Sequence, residues 1–458
     1  MPTTGLARAV HSQRFPVNRD VGLLFLSRSL RMFANGSAVL VLVLYLAALG
    51  FDGAAIGLLL TLTLMGGTLL SLILTTRADG WGRRRVLILG GVLMAFASLA
   101  FIVSDSYPVL VVAAIIGMIS PSGGDVGPFL PIEQASLSHI VPDRSRTPAF
   151  GWYQVAGSVS AGIGAIVAGT IVTVLKDAGV GELDAYRAVI GISVVVGFVL
   201  AGMFLFASPA MEVGRAKVRA GSRFGIHKSK GIVARLSALF AVDSFASGLI
   251  PMSLVIYWIH VRFDVPELGL GGISLGFNFL TGISAPLSVW VSRRIGLVNT
   301  MVFTHIPASL LLITIPYMPT AELAVAVVLI RAMITQMDVP VRQSYTMAVV
   351  EPDERSATAG VTNMVRSLSQ AAGPGISTPL LIVASTWTLP FLIGGLLKVG
   401  YDLSLWRLFR SRPAPEERKA VEAAAAADAA AQVDAATQGA NANAEADGAP
   451  EAPTTPPT

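Results

Sequence analysis

The chain contains no cysteine. Disulfides, thiolate metal sites, iron–sulfur clusters and thiol nucleophiles are excluded with it. Charge is scarce: Asp, Glu, Lys and Arg make up 13% of the 458 residues, against about 25% in soluble domains. Histidine is scarcer, five in all, and no two stand at a ligand spacing such as HxxxH. No metal site is expected on that basis. A GxxxxGK[ST] phosphate loop is missing, so neither nucleotide-driven pumping nor any cofactor is expected. No Ser-His-Asp arrangement stands out, so no catalytic residue and no enzyme are expected.

What the sequence has is apolar residue, 53% of the chain. No soluble core needs so much, which excludes a cytosolic enzyme and a disordered chain. The apolar residues fall in twelve runs, at about 21–50, 54–76, 86–104, 107–140, 147–175, 186–207, 234–259, 268–291, 297–318, 321–349, 358–386 and 388–408. A bilayer core is crossed by about 20 apolar residues in a helix. Helices are the expected spanning form, because lipid satisfies no backbone group and the runs are too long for barrel strands. The first run follows a hydrophilic stretch and is too long for a signal peptide, so no cleavable leader is expected.

Basic residues orient the spans. The segments on one side carry 24 of the 33 Lys and Arg, and the opposite loops carry three, Lys176, Arg187 and Arg262. Both termini are therefore expected in the cytoplasm, with the protein in the cell membrane. The net charge of +5 is a topology signal, and no nucleic-acid partner is expected. The organisation read from these patterns is a cytoplasmic segment 1–20, a six-helix unit 21–207, a basic linker 208–233, a second six-helix unit 234–410 and a disordered tail 411–458. The linker's basic residues hold topology or rest on anionic lipid.

The two units repeat each other. Pro131-Ile132-Glu133-Gln134 near the end of the fourth span matches Pro340-Val341-Arg342-Gln343 near the end of the tenth. Arg31-Met32-Phe33-Ala34-Asn35-Gly36 in the first matches Asp243-Ser244-Phe245-Ala246-Ser247-Gly248 in the seventh, and Ala161-Gly162-Ile163-Gly164 matches Ala372-Gly373-Pro374-Gly375. A parallel repeat of six spans predicts two pseudo-symmetric bundles with a site between them near mid-membrane.

Between the second and third spans stands Thr75-Thr76-Arg77-Ala78-Asp79-Gly80-Trp81-Gly82-Arg83-Arg84-Arg85. It resembles the G-x-x-x-D-R-x-G-R-R signature of the major facilitator superfamily. Asp79, Gly82, Arg83 and Arg84 are kept, while Thr75 and Gly80 depart from it. With the span count and the repeat, the resemblance covers about residues 20–410. It implies an all-α membrane protein of twelve transmembrane helices in two six-helix bundles. It also implies a monomeric carrier for a small-molecule substrate, coupled to protons and surrounded by membrane lipids, with proton-driven export first, metabolite uptake by a symporter or uniporter as the alternative, and a non-transporting membrane receptor or enzyme of the same fold last. Asp79, Gly82, Arg83 and Arg84 are then expected to latch the cytoplasmic side against the eleventh span. The arginine that many proton-coupled relatives carry in the fourth span is missing, and a similar residue, Arg331, stands in the tenth.

Charges inside the membrane cost at least about 2.5–3.5 kcal/mol each and so face a cavity or a partner. Arg31, Asn35, Asp125, Glu133, Asp243, Arg331, Asp338, Arg342 and Arg366 are the candidate cavity residues. Arg31 and Asp243 hold equivalent positions in the two halves, as do Glu133 and Arg342, and are expected to form ion bridges across the cavity. Arg331, Asp338 and Arg342, at i, i+7 and i+11, are expected on one stripe of a helix kinked by Pro340. Lys398 and Asp402, at i, i+4, are expected to pair with each other on the twelfth span.

Overall fold

The computed structural model describes residues 19–117, 127–141, 143–208, 227–351, 354–383 and 385–410, with the single positions 121 and 211. Asp125 and the side chain of Asp79 lie outside the described residues. So do nearly all of the N-terminal segment and of the tail, and most of the linker.

Among the described residues the apolar runs are helical apart from short breaks, as chains must be where water is absent. In order these are α1 Arg19–Ala48, α2 Gly53–Trp81, α3 Arg83–Val103, α4 Tyr107–Gly117, α5 Phe129–Ile140, α6 Asp143–Asp177 and α7 Glu182–Phe204. After the linker come α8 Lys230–Leu249, α9 Met252–Phe263, α10 Glu267–Ile295, α11 Leu297–Thr314, α12 Ala321–Thr335, α13 Asp338–Ala348, α14 Arg355–Ile382 and α15 Leu389–Phe409. Eight segments of the described residues are long and apolar enough to cross a membrane by length and composition.

Packing repeats between the halves. In the first, α1 lies on α6 and α7, α3 on α7, and α2 on α4. In the second, α8 lies on α14 and α15, α11 on α15, and α10 on α12. Two main seams join the halves, α6 with α10 and α2 with α14, and α1 also touches α9 and α10. Close approach explains two glycines of the repeat. A Cβ on Gly36 would stand 2.0 Å from the Ala161 carbonyl oxygen, and one on Gly248 would stand 2.0 Å from that of Gln370. Small residues let helices meet by backbone contact where lipid gives no hydrophobic drive.

The expected kink at Pro340 is corrected. The tenth span is broken at Gln336–Met337, and Pro340 sits in the first turn of α13. A proline there costs nothing, because its missing N–H would find no partner in the helix. Pro131 holds the same place in α5. The break removes the continuous stripe: Arg331 belongs to α12, and only Asp338 and Arg342 share a helix.

Candidate functional site

In the first half α1, α5 and α6 converge on one carboxylate. Glu133 accepts from Arg31 Nη1 at 2.8 Å and Nη2 at 3.0 Å, and from Ser27 Oγ at 2.6 Å. The Tyr153 hydroxyl donates to it as well. Glu133 is fully enclosed. Arg31 stands 4.7 Å over the Phe129 ring. Arg28 reaches Gln154 Oε1 at 3.3 Å and lies 5.3 Å over the Tyr153 ring. Asn35 lies one turn beyond Arg31 on α1.

The second half holds a larger network drawn from α8, α11, α13 and α15. Asp243 Oδ1 accepts from Lys398 Nζ at 2.7 Å, and Oδ2 from Arg342 Nη1 at 3.3 Å. Arg342 Nη1 also reaches Asp338 Oδ2 at 2.6 Å. The His305 ring lies between two carboxylates, with Nδ1 2.9 Å from Asp402 Oδ1 and Nε2 3.8 Å from Asp243 Oδ1. Asp243 and Asp338 thus meet two permanent cations, Arg342 and Lys398, and a third carboxylate, Asp402, joins them through His305. Ionised, these three carboxylates and two cations sum to a formal charge of −1 before Arg331 and Arg366 are counted.

Two pairings differ from those expected. Arg31 bonds Glu133 and Asp243 bonds Arg342, each within its own half and not across to the other. Equivalent positions under a twofold share a depth but need not touch, whereas the first and fourth spans of one half are neighbours. Lys398 and Asp402 do not pair locally either. Because α15 packs on α8 and α11, Lys398 turns to Asp243 and Asp402 to His305. His305 was missed, since one histidine in an apolar run has no pattern.

Arg331 and Arg366 lie near this network but form no ion pair with it among the described residues. Arg366 Nε donates to Ser244 Oγ at 3.1 Å. Arg331 Nε is buried with no hydrogen-bond partner among the described residues.

At the signature turn Gly82 links α2 to α3 at a φ of 99°, which favours glycine. Arg83 is buried. Arg84 donates to the Leu205 carbonyl at the end of α7, so it staples its own half together.

Contacts across the seams gather at the end remote from the termini and the linker. Lys176 Nζ on α6 meets Glu267 Oε1 at the start of α10 at 2.8 Å, and the Tyr186 hydroxyl reaches the same oxygen at 3.2 Å. Thr61 Oγ1 on α2 accepts from Gly375 N on α14 at 2.9 Å. Ser253 N, at the break in the seventh span, donates to the Pro121 carbonyl at 3.3 Å. At the opposite end the fully enclosed Glu354 carboxylate accepts from the backbone N–H groups of His227, Lys228 and Ser229, ahead of α8.

A sequence model described as Major Facilitator Superfamily matches residues 24–374 and again 236–442. The chain belongs to the Major Facilitator Superfamily. It is an integral membrane protein of the transporter class, not an enzyme, and membership implies a small-molecule substrate. Among curated proteins it is 29% identical over 426 residues to the uncharacterized membrane protein YJR124C of Saccharomyces cerevisiae, covering 86% of this chain and 94% of that one. It is 25% identical over 136 residues to the quinolone resistance protein NorA of Staphylococcus aureus, 30% of this chain and 34% of NorA. Among solved structures, the nucleoside transporter NupG aligns with a TM-score of 0.64 at 15% identity, over 86% of this chain and 99% of that one. That likeness concerns the fold.

Proposed function

We propose that the protein is a proton-coupled carrier that moves a small organic solute by alternating access. Units 21–207 and 234–410 rock about a site between them, with both termini in the cytoplasm of a cell-membrane monomer. One observation carries the coupling: two buried carboxylates, Asp243 and Asp338, contact two permanent cations, Arg342 and Lys398, and His305 lies between Asp243 and a third carboxylate, Asp402. Such a cluster exchanges a proton as a unit, and taking it up or giving it away changes the charge that holds α8, α11, α13 and α15 together. The signature turn serves as the latch at the terminal end through Asp79, Gly82 and Arg83, with Arg84 bracing the turn against its own half, and Lys176–Glu267 closes the other end.

The likeness over 136 residues to NorA, a quinolone resistance protein, supports export as the direction. A second reading, uptake together with protons, is favoured by Arg331 and Arg366. A proton that cancels the network's negative charge strengthens the positive field there, so proton and anion assist each other's binding.

The test is purified protein in liposomes loaded with a pH-sensitive dye. Solutes of each charge class are added under an imposed pH gradient, then with the gradient reversed. Proton flux that appears only with a particular solute is the expected result, and its direction separates the two readings. Solute movement that ignores both gradient directions would remove proton coupling, and no movement of any solute would remove the carrier assignment.

A further inference from the structure

We infer that Arg331 and Arg366 receive the negatively charged group of the solute, so that the substrate is a small organic anion. This rests on the carrier reading above but not on its direction.

The carboxylates near these arginines are already engaged. Asp243 takes Lys398 and Arg342, Asp338 takes Arg342, and Asp402 takes His305. Among the described residues none of them comes within ion-pair distance of Arg331 or Arg366. Arg366 has a bond from Nε to a neutral hydroxyl, Ser244 Oγ. Arg331 Nε is sealed from solvent with no hydrogen-bond partner among the described residues.

Position makes these charges costly. Arg366 lies eleven residues into α14, about 16 Å along the helix axis. Arg331 lies ten residues into α12 from the opposite end, about 15 Å. In a hydrocarbon core of about 30 Å both sit near the middle. Neither can snorkel to water from there, as a terminal arginine does.

Rotation turns Arg331 inward. On α12 the exposed Leu323, Ile330 and Met333 form one stripe, and the buried Ala324, Val328 and Ala332 form the opposite one. At 100° per residue Arg331 falls beside the buried stripe. Leu329 on the other flank meets α10 at Gly276, so Arg331 occupies the flank turned away from that helix.

A guanidinium in such a place needs an acceptor. Its planar fork fits the two oxygens of a carboxylate, a sulfonate or a phosphate. Counting the described mid-membrane charges, Arg28, Arg31, Arg331, Arg342, Arg366 and Lys398 face Glu133, Asp243, Asp338 and Asp402. With His305 neutral the surplus is positive by two, and by one once Asp125 of the fourth span is added from the sequence. A cationic drug would meet that surplus as a repulsion, and a singly or doubly charged anion would cancel it.

The test uses the full chain purified in detergent. Thermal melting is followed with benzoate, citrate and carboxyfluorescein as anions, tetraphenylphosphonium and ethidium as cations, and thymidine as a neutral solute. At least one anion raises the melting temperature in a saturable way, and neither cation does. Arg331→Gln and Arg366→Gln each weaken that anion by at least about tenfold, while Arg331→Lys retains part of the binding. Unliganded melting within a few degrees of wild type shows that the variants fold.

Three results would overturn the inference. In one, the cations stabilise the protein and no anion does. In another, anion affinity is unchanged in both glutamine variants. In the third, Asp125→Asn fully restores anion binding to Arg331→Gln, which would assign Arg331 to Asp125. Coupled transport of ethidium in liposomes would sink the anion assignment and leave the carrier reading standing. Anion binding without transport of any solute would do the reverse.

Discussion

Arg31 and Glu133 meet fork to fork, through two bonds of 2.8 and 3.0 Å, inside a single half of the protein. Their partners come from that half too: Ser27 and Tyr153 complete the acceptor side of Glu133. The ion pair therefore fixes α1 against α5 whichever way the two halves are tilted. A buried ion pair that loses one member leaves an uncompensated charge, at a cost of about 3–5 kcal/mol. Glu133→Gln should lower stability by about that much in detergent melting or denaturant unfolding. Arg31→Gln together with Glu133→Gln should recover part of it. A single variant as stable as wild type would mean that the pair contributes no net stability.

Asp243 is the point where the second half's charges join, touching Lys398, Arg342 and His305. Asp243→Asn should abolish gradient-driven accumulation in liposomes while solute exchange without a gradient continues. His305→Gln should flatten the pH dependence of the same transport. Full accumulation in Asp243→Asn would remove it as the coupling group.

Lys176 and Glu267 tie the two halves at the end away from the termini. Glu267→Gln should loosen that end. The natural chain has no cysteine, so one introduced thiol reports without background. Leu275→Cys, opposite Gly162 on the α6–α10 seam, should react with a maleimide several times faster in the Glu267→Gln background. Equal rates would show that the ion pair does not hold the seam closed.

Glu354 carries a pH signature. The Ser229 side chain, joined by the backbone N–H groups of His227, Lys228 and Ser229, outweighs desolvation and holds its carboxyl at about 2, below the ordinary 4.5. A carboxyl depressed on folding contributes stability that is complete above its unfolded value and is lost as pH falls through the folded one. Between pH 4.5 and about 2, the wild-type melting temperature should therefore fall more steeply than that of Glu354→Gln. Parallel curves would show that the clamp contributes nothing.

Much of this was legible in the sequence because a bilayer imposes length. Runs of about 20 apolar residues gave the helices, and Pro131 with Pro340 marked equivalent turns of the two halves. The repeat also gave depth, which is why Arg31, Glu133, Asp243 and Arg342 were singled out and are all buried. Rotation and neighbourhood were not written there. Arg31 was expected opposite Asp243 by symmetry, yet proximity is set by which helices pack, and α1 reaches its own fourth span. The i, i+4 spacing of Lys398 and Asp402 suggested a local pair, but both turn to stronger partners on α8 and α11. Lys176 looked like a topology marker until α10 brought Glu267 beside it.

Asp20 and Glu354 clamp opposite ends of the linker. Asp20 accepts from Ser208 N at 3.2 Å and from its hydroxyl, and Glu354 grips His227 to Ser229. Eighteen residues separate Ser208 from His227, enough to span about 65 Å when stretched. By length alone that stretch sets no limit on how far the halves swing. Covalent continuity there should be dispensable: two polypeptides divided near position 217, made in one cell, should find each other and assemble a working carrier.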